Sequence, residues 1–393
     1  MPSSAAAPPR RFRFERFPFM VGVRAPDDGA PLPTALPFEM AVDPRAALPR
    51  LVVTDEVEAA LEAAYSIGSM ISTPLGHSAL SMNRLEEARD RLLGLLGSVA
   101  GKRMLEIGCG TGMLLNEFKE RGAQVVGCEI GPQGAEAEAR YGIPVLREPV
   151  RAGTFDEPFD CIYSYGTLEH IADLEGLFDA FRGSLRDGGL LFHSVPNAEN
   201  TFRTGRVEEL LHEHVNYFTP ANAVRLLEAQ GFARARAEPT AAGNELHLWG
   251  WRDAGAETGW PGEREPAVLE VEEAQVAEFF DRAQGLLDGQ QAAVERMLAA
   301  GESVGFYAGG YLLGARLPAG ADVRYYDGDE YKHGKVWLAG LSPIRPPAEL
   351  RTDPVDHLVV CPDHYFEPIH ANLVERVGIP ASTRVHRMRR LRA

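Results

Sequence analysis

At 393 residues the chain exceeds what one core usually supports, and a composition of 45% hydrophobic and 24% charged residues excludes a disordered or collagen-like protein. A formal net charge of −16 excludes general adhesion to nucleic-acid backbones or anionic membranes, because both need phosphates neutralised by Lys and Arg. Four scattered cysteines, Cys109, Cys128, Cys161 and Cys361, form no C-x-x-C pair, so reduced thiols are expected rather than a zinc ribbon or disulfide framework. No signal-peptide core and no apolar run of about 18–20 residues is present, so a cytoplasmic protein without a membrane span is expected.

Residues 1–75 read as an irregular cover or substrate-gathering segment, proline-rich, with a strand at 17–23 and turn chemistry at Asp27-Asp28-Gly29. A helix starts at Thr54, where Asp55, Glu56 and Glu58 suit a positive helix end, and another spans 83–96. A domain at 76–253 follows. Its short apolar runs at 103–107, 124–129, 161–163 and 190–194 read as buried parallel strands, with helices such as 113–120 and 174–185 between them. That alternation predicts a Rossmann-like, doubly wound α/β sheet. A Pro/Gly-containing linker at 255–266 leads to a helix at 268–300 and strands at 303–307, 323–327 and 357–361. Residues 266–393 therefore read as a second, smaller α/β domain.

The stretch Glu106-Ile107-Gly108-Cys109-Gly110-Thr111-Gly112 follows a strand and opens a helix, so its glycines allow backbone to approach a ligand closely. Glu129 ends the next strand about 20 residues on, where a carboxylate takes ribose hydroxyls. Glu106 beside the turn would repel a pyrophosphate but suits a cationic, phosphate-free ligand. A glycine turn that only packs helix on strand is the alternative.

These residues, with the stretches 160–166, Glu169-His170-Ile171 and Gly188-Gly189, resemble the motifs of class I S-adenosylmethionine-dependent methyltransferases over roughly residues 100–250. The resemblance implies S-adenosyl-L-methionine as cofactor, Gly108, Gly110 and Gly112 along its methionine and ribose parts, Glu129 on ribose, and Tyr165 and Gly166 beside the sulfonium. The adenine contact stays unassigned, since the stretch 147–155 lacks the family's acidic residue.

Beyond the last expected core strand comes Leu211-His212-Glu213-His214-Val215-Asn216-Tyr217-Phe218, rich in groups that move protons near neutral pH, and Thr219-Pro220 then opens a helix. His212 and His214 could also ligate a metal, but the i, i+4 spacing of zinc peptidases is absent and no metal is expected. A polar loop capping a helix is the plain alternative. The string resembles that of sugar C-methyltransferases acting on nucleotide-linked keto-deoxysugars, and the stretch 326–350 is similar to their C-terminal domain. That likeness implies His214 as base and Glu213 as its helper. Tyr217 or His170 would then hold an enolate oxygen.

The cysteine-bearing zinc domain of that family has no counterpart in residues 1–75, and Tyr65 is either the counterpart of the family's N-terminal tyrosine, on poorly matching flanks, or a core-packing residue. The expected partner is a small-molecule acceptor, nucleotide-linked sugar or otherwise, and not nucleic acid or membrane. Oxygen or nitrogen methylation of another natural product, and a non-catalytic scaffold, are the competing functions. In the last domain Ala308-Gly309-Gly310 followed by Asp327 imitates a nucleotide loop but lacks G-x-G-x-x-G, so strand-to-helix packing is expected of its glycines.

Overall fold

The computed structural model describes residues 10–66 apart from 27–28 and 30–31, and residues 79–261, 265–318 and 320–392. The expected turn residues Asp27 and Asp28 and the boundary near 75 lie outside them. The described chain forms two compact units, one of residues up to 13, 38–66 and 79–278, the other of 14–37 and 279–392. The division falls inside a helix rather than at the expected linker.

The N-terminal segment is more regular than its proline content suggests. Strands β1 (Arg11–Pro18), β2 (Ala35–Asp43) and β3 (Leu48–Leu51) form a sheet in that order, with β2 and β3 antiparallel from Met40↔Leu51 to Asp43↔Leu48. The expected strand at 17–23 is thus displaced toward the N-terminus. Along β2, Phe38, Met40 and Val42 are buried while their neighbours are less so, the period-2 pattern of a half-buried strand. The Asp43 carboxylate accepts the Arg45 and Ala46 amides and makes the turn.

Helices α1 (Asp55–Ser66) and α2 (Ala79–Leu96) precede an alternation of β4 (Arg103–Ile107), α3 (Met113–Glu120), β5 (Gln124–Cys128), α4 (Gln133–Tyr141), β6 (Val145–Leu146), β7 (Phe159–Tyr165), α5 (Leu174–Ser184) and β8 (Leu185–Pro196). Then follow α6 (Ala198–Thr204), α7 (Pro220–Ala229), β9 (Phe232–Pro239) and β10 (Glu245–Arg252). The sheet order is β6-β5-β4-β7-β8-β10-β9; β4 to β8 pair in parallel, whereas β10 runs antiparallel to both β8 and β9. The doubly wound expectation is met, but the sheet is mixed. A β9–β10 hairpin needs no helical crossover and adds an antiparallel edge that parallel-strand periodicity does not reveal.

Alternate residues of the central strands feed opposite cores. Leu105, Ile107, Ile162, Leu191 and Val195 pack with Phe178, Phe181, Leu226 and Leu227, while Met104, Cys161, Tyr163, Leu190 and Phe192 pack with Leu85, Leu92, Leu114 and Phe118. Each such aliphatic or aromatic side chain contributes roughly 1.5–3 kcal/mol on burial. Caps fix the helix starts: Asp173 accepts the Gly176 amide at α5, and Thr219 and Asn222 exchange bonds in a capping box at α7.

The long helix α8 (Pro266–Ala299) contains the division between units. The second unit adds β11 (Val304–Tyr307), α9 (Tyr311–Gly314), β12 (Val323–Tyr326), β13 (Ile344–Arg345), β14 (His357–Val360), α10 (Phe366–Asn372) and β15 (Arg384–Arg387). Its sheet is parallel throughout, in the order β13-β12-β11-β14-β15. A Cβ on Gly310 would meet the Phe306 ring at 2.4 Å, and Asp327 is held by Lys332 Nζ at 2.9 Å, so this glycine loop serves packing. No helix among the described residues is long and apolar enough to cross a membrane, and the four cysteines are free thiols.

Candidate active site

The carboxyl ends of β4, β5, β7 and β8 converge at one edge of the first unit's sheet, the edge where open α/β sheets bind ligands. The turn after β4 is anchored by Gly108 and Cys109 amides donating to the Cys128 carbonyl at 2.7 and 3.1 Å. Its three glycines differ in what they face. A Cβ on Gly108 would strike Thr167 Oγ1 at 2.3 Å, and one on Gly112 would meet Ala137 Cβ at 2.8 Å, whereas among the described residues nothing lies within 4 Å of one on Gly110. Gly110, at φ 52°, therefore fronts open space, while Gly108 and Gly112 also serve close packing.

Glu129, just past β5, accepts the Gly110 amide at 3.0 Å and the Gly131 amide at 2.6 Å. Two backbone donors fix the carboxylate beside that space with lone pairs to spare. Ile130, next in sequence, is 61% exposed, an apolar surface that sequence reasoning did not single out. Glu106 is buried and accepts the Tyr163 hydroxyl at 3.1 Å; burial pushes its carboxyl well above the usual range, against the hydrogen bond from Tyr163. Arg147, where the adenine contact was left open, donates to the Gly131 carbonyl at 2.8 Å.

Tyr165 ends β7 with its hydroxyl 3.4 Å from Glu245 Oε1, and Ser194 Oγ lies 3.3 Å from Glu245 Oε2. Arg84 of α2 pairs with the same carboxylate and lies over the Tyr165 ring. Gly166 donates its amide to the Ser194 carbonyl at 2.9 Å, and a Cβ there would sit 3.7 Å from Glu169 Oε1. The loop after β7 thus joins the glycine-loop edge to a second cluster.

That cluster is assembled by backbone. Val215 and Asn216 amides donate to the Glu169 carbonyl at 2.7 and 3.0 Å, and the Asn216 side-chain amide donates to the Leu168 and Ile171 carbonyls. On the other side, the Leu51 amide donates to the Val215 carbonyl at 2.9 Å and the Tyr217 amide to the Pro49 carbonyl at 3.0 Å. The 212–218 segment is therefore clamped between β3 and the turn at Leu168–His170.

Glu169, His170 and His214 present ligand-capable atoms within 4.8 Å of one another, and the two imidazole rings meet edge to face at 5.0 Å. Burial drives His214 down to about 4, against a hydrogen bond to the Glu209 backbone; burial and the neighbouring His214 drive His170 down to about 3. Both rings are neutral at pH 7. Burial raises the Glu169 carboxyl to about 8, and it raises the Tyr65 phenol too, with Glu213 and Glu169 adding to the effect. Tyr65 Oη, Glu169 Oε2 and His170 Nδ1 are buried without hydrogen-bond partners among the described residues.

The structure thus gathers His170, Glu213, His214 and Tyr65, and adds Glu169, which no spacing rule marks. One expectation differs. Tyr217 stacks on Phe202 at 6.2 Å and its hydroxyl neighbours Leu211 and Glu209, because the strand-like run from His214 turns its ring away. His212, fully buried, packs edge-on to Phe38 at 5.3 Å, so the histidine that joins His214 is His170, not His212.

Comparison with known proteins agrees with the glycine-loop geometry: a family model described as a methyltransferase domain matches residues 80–235. Residues 80–235 thus carry a methyltransferase domain. Among curated relatives are ubiquinone biosynthesis O-methyltransferases, 27% identical in Idiomarina loihiensis and 30% in Nitrobacter winogradskyi, covering 33% and 36% of this chain. The chain spans about 60% of the length of these relatives. An S-adenosylmethionine-dependent methyltransferase from Mesorhizobium loti aligns at 21% identity and a TM-score of 0.36 over 43% of this chain and all of its own. The N-methyltransferase NodS from Bradyrhizobium japonicum aligns at 20% and 0.34 over 43% of this chain and 97% of its own.

The residues of the domain fit S-adenosylmethionine: among the described residues nothing lies within 4 Å of a Cβ on Gly110, and Glu129 is fixed beside that space.

Proposed function

We propose that the chain transfers a methyl group from S-adenosylmethionine to a small-molecule acceptor, and that the acceptor atom is a carbon next to a ketone in a sugar or nucleotide-linked keto-deoxysugar. The observation that carries this reading is the Tyr65, Glu169, His170, Glu213 and His214 cluster adjoining Gly166 at the same sheet edge as Glu129. Methylation of a hydroxyl asks for one base. Carbon methylation asks for a base and for a hydrogen-bond donor at the enolate oxygen, and the cluster supplies both types.

Bound along Gly110 and Glu129, S-adenosylmethionine supplies an electrophilic methyl on a sulfonium. Glu129 takes ribose hydroxyls while Gly110 leaves room for them. His214, neutral at pH 7, accepts the proton from the acceptor carbon, with Glu213 beside it. The protonated state of His214 is favoured by the Glu209 backbone beside it. His170 or Tyr65 donates to the enolate oxygen. Bringing carbon and methyl to about 3 Å does most of the rest.

A second reading is favoured by the relatives' names: transfer to a hydroxyl oxygen, with His214 again as base. The test is incubation with methyl-labelled S-adenosylmethionine and a thymidine diphosphate 4-keto-6-deoxyhexose in deuterated water. A carbon-bound labelled methyl with deuterium exchange at that carbon supports the first reading, and an oxygen-bound methyl supports the second. Absence of S-adenosylhomocysteine binding refutes both.

A further inference from the structure

The cluster that the proposed reaction uses for proton transfer has the composition of a metal site. Glu169, His170 and His214 each offer one ligand atom, and these atoms all lie within 4.8 Å of one another. The Glu213 and Glu209 backbones neighbour the His170 and His214 rings respectively, so each ring can donate one N–H there and keep its other nitrogen's lone pair for a metal. Independently, Glu169, a side chain 4% exposed, keeps Oε2 without a hydrogen-bond partner among the described residues, and so does Nδ1 of His170. Buried polar atoms left unpaired in a folded protein call for an occupant.

We propose that Glu169, His170 and His214 bind a divalent transition-metal ion, zinc by its ligand chemistry, and that the bound ion occupies the lone pair with which His214 accepts a proton, so that metal holds methyl transfer off. Two imidazoles with one carboxylate are a recurring zinc set, with water at the fourth position. Bonds of about 2.0–2.1 Å place tetrahedral ligand atoms roughly 3.3 Å apart, so the side chains close by at most about 1.5 Å when the ion enters. The zinc-for-proton exchange balances without a redox step: the ion bonds to the neutral ring nitrogens and the ionised Glu169, whose proton is released to solvent.

The inhibitory half rests on the proposed role of His214, whereas the binding half does not. Calorimetric titration of the full chain with zinc chloride, beside Glu169→Gln and His170→Asn, separates them. One ion per wild-type chain is expected, weakened at least about tenfold in each variant. S-adenosylhomocysteine binding within about threefold of wild type shows that each variant is folded, and Glu169→Gln, the same shape without the charge, is the gentler of the two. Cobalt substituted for zinc should give visible absorption that both variants lose. Zinc binding that is absent, or equal in all three proteins, overturns the site. In the labelled-methyl assay zinc should lower transfer and a chelator restore it; a chelator that abolishes transfer overturns the inhibitory half. Failure of the wild type to bind S-adenosylhomocysteine would count against the methyltransferase reading and leave the zinc titration to decide the site.

Discussion

Adding one methyl group at Gly110 isolates what the glycine loop does. The residue has φ 52°, and a Cβ there meets nothing within 4 Å, so Gly110→Ala carries only the left-handed backbone penalty of about 1–2 kcal/mol. In a domain of this size that lowers Tm by roughly 2–8 °C. The same methyl fills the space beside Glu129, and S-adenosylhomocysteine should bind at least about tenfold more weakly, or about 1.4 kcal/mol. Gly112→Ala is the control: its φ of 77° is equally left-handed, but its Cβ falls 2.8 Å from Ala137 Cβ, inside the packing of α4. That variant should lose more stability and, at a temperature where it is folded, less affinity. Differential scanning fluorimetry and calorimetry with S-adenosylhomocysteine measure both quantities. Wild-type affinity in Gly110→Ala would refute the assignment of that space to the cofactor.

Glu129→Gln should weaken S-adenosylhomocysteine about 10–100-fold, since hydrogen bonds to a charged group contribute about 1.5–3 kcal/mol; a change under threefold in calorimetry would exclude the ribose role. Tyr217→Phe should leave kcat within a few-fold in the labelled-methyl assay, whereas His214→Ala should reduce it about 10²–10⁴-fold. Loss of activity in Tyr217→Phe equal to that in His214→Ala would mean that the phenol, not the imidazole, serves the acceptor. His193 is fully buried, shares a 2.7 Å bond with Ser164 Oγ, and is driven down to about 3 by burial. Because the unfolded chain binds this proton from about pH 6.5 downward and the folded chain does not, its stabilising contribution is complete above that pH. It fades by about 1.4 kcal/mol per unit as pH falls toward 3. Urea unfolding of His193→Gln should show a shallower acid limb than wild type, and equal slopes would exclude His193 as the source.

The central sheet was legible because strands buried on both faces leave uninterrupted apolar runs: 103–107 is β4 to the residue, and the helix at 113–120 is α3. The β9–β10 hairpin was not, since Arg234, Arg236 and Glu238 break the apolar run of an edge strand that packs on one side only. The small β1–β3 sheet hid behind prolines that sit within its strands, Pro37 in β2 and Pro49 in β3. At the site, the glycine turn and Glu129 followed from spacing along one βαβ unit. Glu169 did not, because its neighbours His170 and His214 meet it only through the turn after β7 and the segment after α6.

Tyr65 shows why the acceptor side resists reading from sequence. It belongs to α1, more than a hundred residues from His214, and its phenol is coupled to Glu213 and Glu169 only because β3 hydrogen-bonds the 212–218 segment on one side while the Leu168–His170 turn holds it on the other. The Leu51-to-Val215 and Tyr217-to-Pro49 bonds hold the segment from one side, while the Val215 and Asn216 amides on the Glu169 carbonyl tie it to the turn that carries His170. β3 therefore helps frame the cluster, and a chain sharing residues 80–235 but lacking β3 would keep the glycine-loop edge while losing one side of the clamp on the His214 segment.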